Sequence, residues 1–381
     1  MIIQSRRVWQ LGKFVPLQLL LSRETGRIER VLPYGARACD LDYGTLRIIP
    51  GMIDIHTHGC YGFDTNDAEP EGLRYWARHI PEEGVTSLLP TTITQQPDVL
   101  LRALANVAAV AAAGYEGAEI LGVHFEGPYL SAEYKGAQPP EAIAAPDIGQ
   151  LRRYQEAAGG LIRYITLAPE KDTDHAMIRY CTANGIVVSM GHSAADYEEV
   201  LLAAADGARS ITHTYNGMSP FKHRSPGLAG ASLSLHGLYG EIIADGRHSH
   251  IAALQLFLQA KGPDYGIIVS DSLRVKGCEP GGDYELGGHP IEICPDGLAR
   301  LKGTDTIAGS TLRMNEALRI AAEEAQVPFE TALNAVTINP ARCLRVDDRK
   351  GRLMAGYDAD IAVLRDDYSV AQTFCRGNAM L

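Results

Sequence analysis

The stretch IIPGMIDIHTHG, residues 48–59, joins an apolar run to two closely spaced histidines. The apolar run predicts a buried β-strand, and side chains at positions i and i+2 of a strand point to the same face. His56 and His58 should therefore reach into one space at the end of this strand. Because histidine is a common metal ligand, the pair suggests a metal site there.

Further apolar runs follow this stretch, and helix-like segments separate most of them. The additional strand candidates are VTSLLPTTI, AEILGVHFEG, RYITLAPE, GIVVSMGHS, SITHTYNG, GEIIADG and YGIIVSDS. Eight strands alternating with helices predict an α/β fold, a parallel (β/α)8 TIM-like barrel over residues 48–343. An open doubly wound sheet is the alternative, but no G-x-G-x-x-G fingerprint follows the first strand.

The two ends of the chain depart from this alternation. Residues 1–47 and 344–381 predict short strands with turns, which we expect to pair into one small β-sandwich domain built from both termini. Residues 276–301 are rich in glycine and proline and predict a hairpin excursion after the eighth barrel strand.

Composition narrows the functional classes. The net charge of −11 gives no electrostatic reason to bind nucleic acid or an anionic membrane. The seven cysteines form no C-x-x-C motif, which favours a reducing compartment over a zinc-knuckle or disulfide framework. The run FVPLQLLL, residues 14–21, predicts a strand rather than a signal peptide, and no run is long enough for a membrane span. We expect a cytoplasmic protein.

Potential metal ligands recur at the carboxyl ends of the predicted strands. Each alone could simply cap a strand, but together they lie where barrels of this type place their active sites. The residues concerned are His56, His58, Glu126, His192, His213 and Asp271. Their shared position predicts a metal-dependent active site.

The residue types in this set suggest a hydrolytic site. Glu126, His192 and His213 form a ligand set that suits Zn²⁺ or Fe²⁺ and leaves a position open for water. Asp271, in VSDS, is then the candidate general base and acid. His124 shares the strand face of Glu126, so it is either a supporting partner of that site or a packed core histidine.

Other donors follow these strand ends and would suit a phosphorylated small molecule. Arginine pairs with phosphate oxygens, and backbone amides of tight turns add to such sites. The candidates are Asn216, Gly217, His223, Arg224, His248 and the turn at residues 307–310. For His223 and Arg224, a solvated loop is the alternative interpretation.

With these residues in place, the chain resembles the N-acetylglucosamine-6-phosphate deacetylases of the amidohydrolase superfamily. The resemblance spans nearly the whole length. It rests on PGMIDIHTHGCYGFDT, HFEGPY, KGAQ, GHSAAD, THTYNGMSPFKHRSPG, IADGRHSH, VSDS, IAGSTLRM, NPAR and GRLMAGYDADIAVL. It implies the barrel with a small two-ended β-domain, and release of acetate from an N-acetylhexosamine 6-phosphate.

The resemblance also implies roles for single residues. Glu126, His192 and His213 match the main metal ligands, and Asp271 matches the catalytic acid and base. Substrate contacts are implied for Ala137, Gln138, Asn216, Gly217, Arg224, His248, Ile307, Ala308 and Gly309. Family members are usually homo-oligomers, dimers or tetramers, in which a neighbouring subunit completes the phosphate site.

Two features differ from many family members. Gln138 stands where several members carry histidine, and an amide can donate a hydrogen bond but cannot share a proton. Arg274 and Lys276 follow Asp271 where many members have small neutral residues. They are either solvated loop charges or contacts for a phosphate or a second acidic group of a different substrate.

Rival functions remain at this stage. A different N-acyl amino-sugar phosphate, such as the galacto epimer, could be the substrate. Cyclic-amide hydrolases of the superfamily often use a carbamylated lysine after strand 4, but RYITLAPE ends without one. A non-catalytic sugar-phosphate sensor is a third possibility. One metal ion could be bound without the first-strand histidines, so His56 and His58 predict a second ion, with Glu126 bridging the two.

Overall fold

The computed structural model describes residues 1–294 and 297–380. The amino-terminal segment forms five strands, in keeping with its alternating apolar pattern. They are β1 (Ile2–Gln10), β2 (Lys13–Leu21), β3 (Ile28–Pro33), β4 (Leu41–Asp42) and β5 (Arg47–Pro50). The apolar run that resembles a signal sequence thus lies in β2, as predicted.

The next strands run from residue 52 to residue 269. They are β6 (Met52–Thr57), β7 (Gly59–Cys60), β8 (Phe63–Asp64), β9 (Val85–Thr92), β10 (Glu119–Ile120), β11 (Val123–Glu126), β12 (Ile162–Leu167), β13 (Val187–Met190), β14 (Ser210–Ile211), β15 (Tyr239–Ile243) and β16 (Gly266–Val269). The long ones are buried along their full length except for Arg163 in β12, as expected for strands covered by helices.

Eight of these strands form the predicted parallel barrel. The order is β6, β9, β11, β12, β13, β14, β15 and β16, with β10 also paired to β9. The first and last strands meet where the backbone N–H of Asp271 donates to the carbonyl of His56, at 2.8 Å. The N–H of His58 donates to the carbonyl of Ser272, also at 2.8 Å. These contacts hold the first and eighth strand ends side by side.

Helices alternate with the barrel strands. They are α1 (Pro70–His79), α2 (Pro97–Ala113), α3 (Ile148–Ala157), α4 (Ala176–Ala183), α5 (Tyr197–Ala205), α6 (Gly227–Ser234), α7 (Ile251–Tyr265), α8 (Met314–Arg319), α9 (Phe329–Val336) and α10 (Ile338–Cys343). Asp147 and Asp196 cap α3 and α5 by accepting hydrogen bonds from first-turn amides. Within residues 1–294 and 297–380, no helix is both long enough and apolar enough to cross a membrane.

The predicted excursion after the eighth strand forms a separate small sheet. Its strands are β17 (Tyr284–Leu286), β18 (His289–Ile293) and β19 (Ala299–Leu301), joined antiparallel. Residues 295–296 of this segment lie outside the described residues. Leu286 and Ile291 pack with Leu273 and Ile93, so the sheet is anchored beside the carboxyl ends of the barrel strands.

The chain ends in β20 (Ile361–Leu364), β21 (Val370–Cys375) and β22 (Asn378–Ala379). These strands join β1–β5 in one eight-stranded sheet through the antiparallel pair β5 and β20. Ile3, Val8, Ile48, Ile361 and Phe374 belong to a buried apolar core of this sheet. The fold class is therefore confirmed: a TIM-like barrel with a sheet domain from both termini. The domain boundaries stay a prediction, and residue 381 lies outside the described residues.

Candidate active site

The predicted metal ligands all meet at one mouth of the barrel. His56, His58, Glu126, His192, His213 and Asp271 are each less than one-tenth exposed. They fall into two sets, in each of which the potential ligand atoms lie within 4.8 Å of one another. The sets are His56 with His58 and Asp271, and Glu126 with His192 and His213. The strand-end prediction thus brought together residues that are more than two hundred positions apart in the chain.

Glu126 lies at the centre of the cluster. Its Oε1 atom is 3.4 Å from His56 Nε2, 3.2 Å from His192 Nε2 and 3.3 Å from His213 Nε2. Its Oε2 atom is 3.3 Å from His58 Nε2. One carboxylate therefore faces a ring nitrogen of all four imidazoles.

The tautomers of two histidines show why these residues fit a cation. His192 Nδ1 lies 2.9 Å from the carbonyl oxygen of Tyr134, so Nδ1 carries the proton and Nε2 the lone pair. His56 Nδ1 lies 2.9 Å from Glu241 Oε2, which places a lone pair on His56 Nε2 as well. These lone pairs face Glu126 oxygens, and His56 Nε2 and Glu126 Oε1 have no hydrogen-bond partner. Buried acceptors that converge in this way fit a divalent metal ion.

The electrostatics of the cluster also favour a positive charge. Burial lowers the pKa of His58, but its hydrogen bonds to Asp271 and Glu126 outweigh this effect and raise that pKa to about 9. The same negative potential that would retain a proton on an imidazole attracts a cation to its lone pair.

Three of these strand-end residues have a strained backbone conformation. His192, His213 and Asp271 have φ values of 47°, 27° and 48°, in the left-handed region that residues with a side chain rarely adopt. Such conformations cost on the order of 1–3 kcal/mol each and persist where the surrounding structure enforces them. Here each strained residue directs a potential ligand into the barrel mouth.

Two residues around Glu126 take different positions. Gln138 Nε2 donates to Glu126 Oε2 at 2.7 Å, and its Oε1 accepts from the backbone N–H of Thr94 at 2.9 Å. Gln138 thus orients Glu126, a role the sequence did not reveal.

His124 does not join the cluster of potential ligands. Its ring packs against that of His56, with centroids 4.4 Å apart, and its nitrogens form hydrogen bonds with Ile55 O and Thr166 Oγ1. Burial and the neighbouring His56 hold the pKa of His124 well below its usual value, so it is a neutral, packed histidine.

A cavity of about 330 Å³ opens above the cluster, within the size range of small-molecule sites. Most of the predicted site residues line it. These are His58, Glu126, Ala137, Gln138, His192, His213, Asn216, Gly217, His248, Asp271, Ile307 and Gly309. His56 lies beneath the others and Ala308 is fully buried. Arg224 and His223 are exposed on the loop before α6 and are not among the lining residues.

The cavity also has walls that sequence reasoning missed. Ile93, Ile243, Leu273 and Leu286 supply apolar surface, and Asp305 lines the cavity from the segment before the 307–310 turn. Leu286 comes from the β17–β19 sheet, whose placement over the barrel mouth depends on long-range packing. No local sequence signal identified these positions.

The two basic residues after Asp271 have structural partners. Lys276 is fully buried, and its Nζ lies 3.0 Å from Glu83 Oε1. Arg274 Nη2 lies 2.6 Å from Asp67 Oδ1. Neither lines the cavity. The expectation that they are solvated charges or substrate contacts is therefore wrong for Lys276, and Arg274 ties its loop to Asp67.

His248 has a carboxylate partner of its own. Its Nδ1 lies 2.6 Å from Asp245 Oδ2, and its side chain lines the cavity. Burial lowers the pKa of His248, but the hydrogen bond to Asp245 and the charge of that residue outweigh it and raise the pKa. The result is an imidazole held toward its cationic form at the cavity wall, which suits an anionic group.

Fold and site define a metal-dependent hydrolase, and comparison with known proteins agrees. Residues 47–380 match the amidohydrolase family. The N-acetylglucosamine-6-phosphate deacetylase of Bacillus subtilis (strain 168) is 43% identical over 334 residues, which cover 87% of this chain and 84% of that protein. The enzyme of the same name from Vibrio furnissii is 35% identical, with 93% and 88% covered.

Solved structures give the same result. An N-acetyl-D-glucosamine-6-phosphate deacetylase from Mycobacterium smegmatis superposes with a TM-score of 0.93 at 30% identity, over the full length of both chains. The Thermotoga maritima deacetylase superposes with a TM-score of 0.89 at 28% identity, covering 100% of this chain and 99% of that one. The chain therefore belongs to the N-acetylglucosamine-6-phosphate deacetylase group of the amidohydrolase family.

Proposed function

We propose that this enzyme hydrolyses the acetamide of N-acetylglucosamine 6-phosphate to glucosamine 6-phosphate and acetate. The observation that carries the proposal is the buried cluster of four imidazoles around Glu126, open to a cavity of sugar-phosphate size. Relatives that share most of the chain length carry this activity in their names. Within the family, the galacto epimer is the alternative substrate.

The cluster supports binding of a divalent metal, and we propose zinc or iron. The ligand set of imidazoles and carboxylates suits both. A bound divalent ion acts as a Lewis acid and lowers the pKa of a water molecule toward neutrality.

We further propose two ions. Glu126, Asp271 and Glu241 are buried carboxylates, and their polar partners among the described residues include no lysine or arginine. Two divalent ions would balance these charges together with that of an activated water. With a single ion, the remaining buried negative charge would have to be balanced by a proton on an imidazole such as His58.

Asp271 is the proposed proton carrier. Its Oδ1 lies 3.3 Å from His58 Nε2 and 3.5 Å from His56 Nε2, and its side chain lines the cavity. From there the carboxylate can take a proton from the attacking water. It then returns that proton to the amide nitrogen as the C–N bond breaks, giving acetate and the free amine. Gln138 holds Glu126 in place during this step.

The remaining site residues are proposed substrate contacts. His248, whose pKa is raised by its hydrogen bond to Asp245, lies on the cavity wall with Asn216 and Gly217 and is suited to a phosphate. Ile307 and Gly309 line the wall that would face the sugar. Ala137 also lines the cavity, whereas the predicted contact Ala308 is fully buried and is not among the lining residues.

Arg224 supports a proposal about assembly. It is exposed on the loop at residues 221–225, where Phe221 is 57% exposed. We propose that the chain forms a homo-oligomer, dimer or tetramer, in which this loop reaches the phosphate of a neighbouring subunit.

All seven cysteines are free, which supports the proposed cytoplasmic location.

Acetate release from N-acetylglucosamine 6-phosphate and from its galacto epimer tests the activity. The metal-loaded enzyme should turn over the gluco substrate, and Asp271→Asn should lower turnover by about 10²–10⁴-fold, since proton transfer would be lost. Asp264→Asn is the matched control, because this carboxylate forms an exposed pair with Arg342 and should leave turnover unchanged. Absence of acetate with either sugar would reject the assignment, and binding without turnover in the wild type would indicate a sensor.

A further inference from the structure

The four histidines of the cluster differ in what contacts Nδ1, the ring nitrogen that does not face Glu126. Glu241 Oε2 lies 2.9 Å from His56 Nδ1, whereas His192 Nδ1 faces the backbone carbonyl of Tyr134. The Nδ1 atoms of His58 and His213 have no hydrogen-bond partner within the described part of the chain. Among the described residues of the cluster, His56 is therefore the one histidine whose Nδ1 faces a side-chain carboxylate. His56 belongs to the set that also contains His58 and Asp271.

Glu241 is an unusual residue for its position. It lies in β15, a strand buried along its full length, and is itself fully buried. Its Oε1 accepts a hydrogen bond from Tyr164 Oη at 2.5 Å, and the backbone N–H of His213 lies 3.4 Å from Oε2. The ion pairs of this carboxylate involve only His56 among residues 1–294 and 297–380. A buried carboxylate without a fixed cation is expensive to keep, so a compensating positive charge is expected on the other side of the imidazole.

The contact with Glu241 determines which nitrogen of His56 is left to bind a cation. Since Glu241 can only accept from His56, the ring proton is fixed on Nδ1 and the lone pair on Nε2. Nε2 points at Asp271 Oδ1 and Glu126 Oε1, at 3.5 and 3.4 Å. A carboxylate behind a ligating histidine both orients the ring and increases the electron density at the ligating nitrogen.

We propose that Glu241 is a positioning residue that makes His56, His58 and Asp271 a cation site, and thereby controls loading of the second metal ion. The inference rests on the proposed function, because it requires the cluster to bind divalent ions. It goes beyond that function because metal binding at His56, His58 and Asp271 would depend on Glu241, a residue that does not line the cavity. Tyr164 Oη donates to the other oxygen of Glu241, so this contact is separate from the one to His56.

A purely structural role is the competing explanation. Glu241 links β6, β12 and β15 through His56 and Tyr164, so its loss could weaken the barrel without any effect on metal binding. The two explanations differ in the metal-free protein. A positioning role leaves the metal-free protein as stable as the wild type or more stable, whereas a structural role lowers its melting temperature.

Glu241→Gln keeps the size of the side chain and removes its charge. Removing a carboxylate behind a ligating histidine typically weakens metal affinity by about 10–100-fold. Zinc titration of the full-length protein should therefore show two tight ions per chain in the wild type, and one tight and one weakened ion in the variant. Tyr164→Phe is the matched control, because it keeps the carboxylate and its bond to His56 and should retain two tight ions.

The outcomes separate the inference from the proposed function. Two ions bound by Glu241→Gln with wild-type affinity would overturn the inference alone, and so would a metal-free variant that melts below the metal-free wild type. A wild type that binds no divalent ion would overturn the proposed function. If Glu241→Gln does not fold, the ¹⁵N resonances of the zinc-loaded wild type decide: a proton on His56 Nδ1 supports the inference, and one on Nε2 rejects it.

Discussion

In the described part of the chain, a cluster of carboxylates beside the terminal sheet and the cluster at the barrel mouth are balanced in opposite ways. In the first, at the junction of barrel and terminal sheet, Lys350 Nζ lies 2.7 Å from Glu119 Oε2 and 3.0 Å from Asp358 Oδ2, and it also pairs with Asp360. Arg349 Nη2 lies 2.8 Å from Glu119 Oε1. This junction cluster carries its own cations.

The second cluster lies at the mouth of the barrel. Its carboxylates face imidazole nitrogens, and lysine and arginine are absent from their ion pairs as far as the described residues extend. The barrel-mouth cluster therefore depends on a cation from solution. The comparison shows that buried carboxylates indicate a function only where the chain does not neutralise them itself.

Removing the cation of the junction cluster should have the largest effect on stability. Lys350 is 1% exposed, and Lys350→Met would leave the buried Asp360 without a cation and leave Glu119 and Asp358 with Arg349 alone. Breaking a buried ion pair on one side costs about 3–5 kcal/mol, so the free energy of unfolding in urea should fall by that amount. Acetate release by the folded variant should be unchanged, since Lys350 is not among the residues that line the cavity.

Arg102→Met is the matched control for this variant. Its pair with Asp98 is mostly exposed, and such pairs contribute at most about 1 kcal/mol. If Lys350→Met lost no more stability than Arg102→Met, the junction cluster would not depend on its own lysine. The contrast with the barrel-mouth cluster would then be wrong.

A smaller effect is expected from acid. Burial raises the pKa of Glu119, but the hydrogen bond from Arg349 and the charge of Lys350 outweigh it and lower the pKa to about 2 from an ordinary value of 4.5. Because the folded-state pKa is the lower one, this contribution to stability is complete above about pH 4.5 and is lost as the pH falls toward 2. The contribution amounts to about 3 kcal/mol at most.

Glu119→Gln isolates this contribution. Urea unfolding of variant and wild type between pH 5 and pH 2 should show a smaller loss of stability on acidification in the variant. Parallel curves for the two proteins would mean that Glu119 does not titrate with the junction cluster.

The sequence predicted the barrel because its signals are local. Eight apolar runs, such as GIVVSMGHS and YGIIVSDS, end in polar residues at the point where a parallel strand leaves the core. Since all parallel strand ends meet on one face, His56, Glu126, His192 and Asp271 could be placed together without knowledge of the tertiary structure.

The supports of the site could not be predicted in the same way. Gln138 reaches Glu126 through a loop whose path depends on Thr94, and Lys276 finds Glu83 across 193 positions of sequence. Glu241 did leave a signal, as a charged residue inside the apolar run GEIIADG, but its partner His56 lies on another strand. Pairings of this kind are set by register and packing rather than by local pattern.

The central claim is that the barrel-mouth cluster is balanced by divalent ions that the reaction requires. The most direct test is the metal content of the purified protein by plasma mass spectrometry, followed by acetate release before and after chelation. We predict two divalent ions per chain, loss of turnover on chelation and its return when zinc or iron is added back. Full turnover by protein that is free of divalent metal would contradict the account.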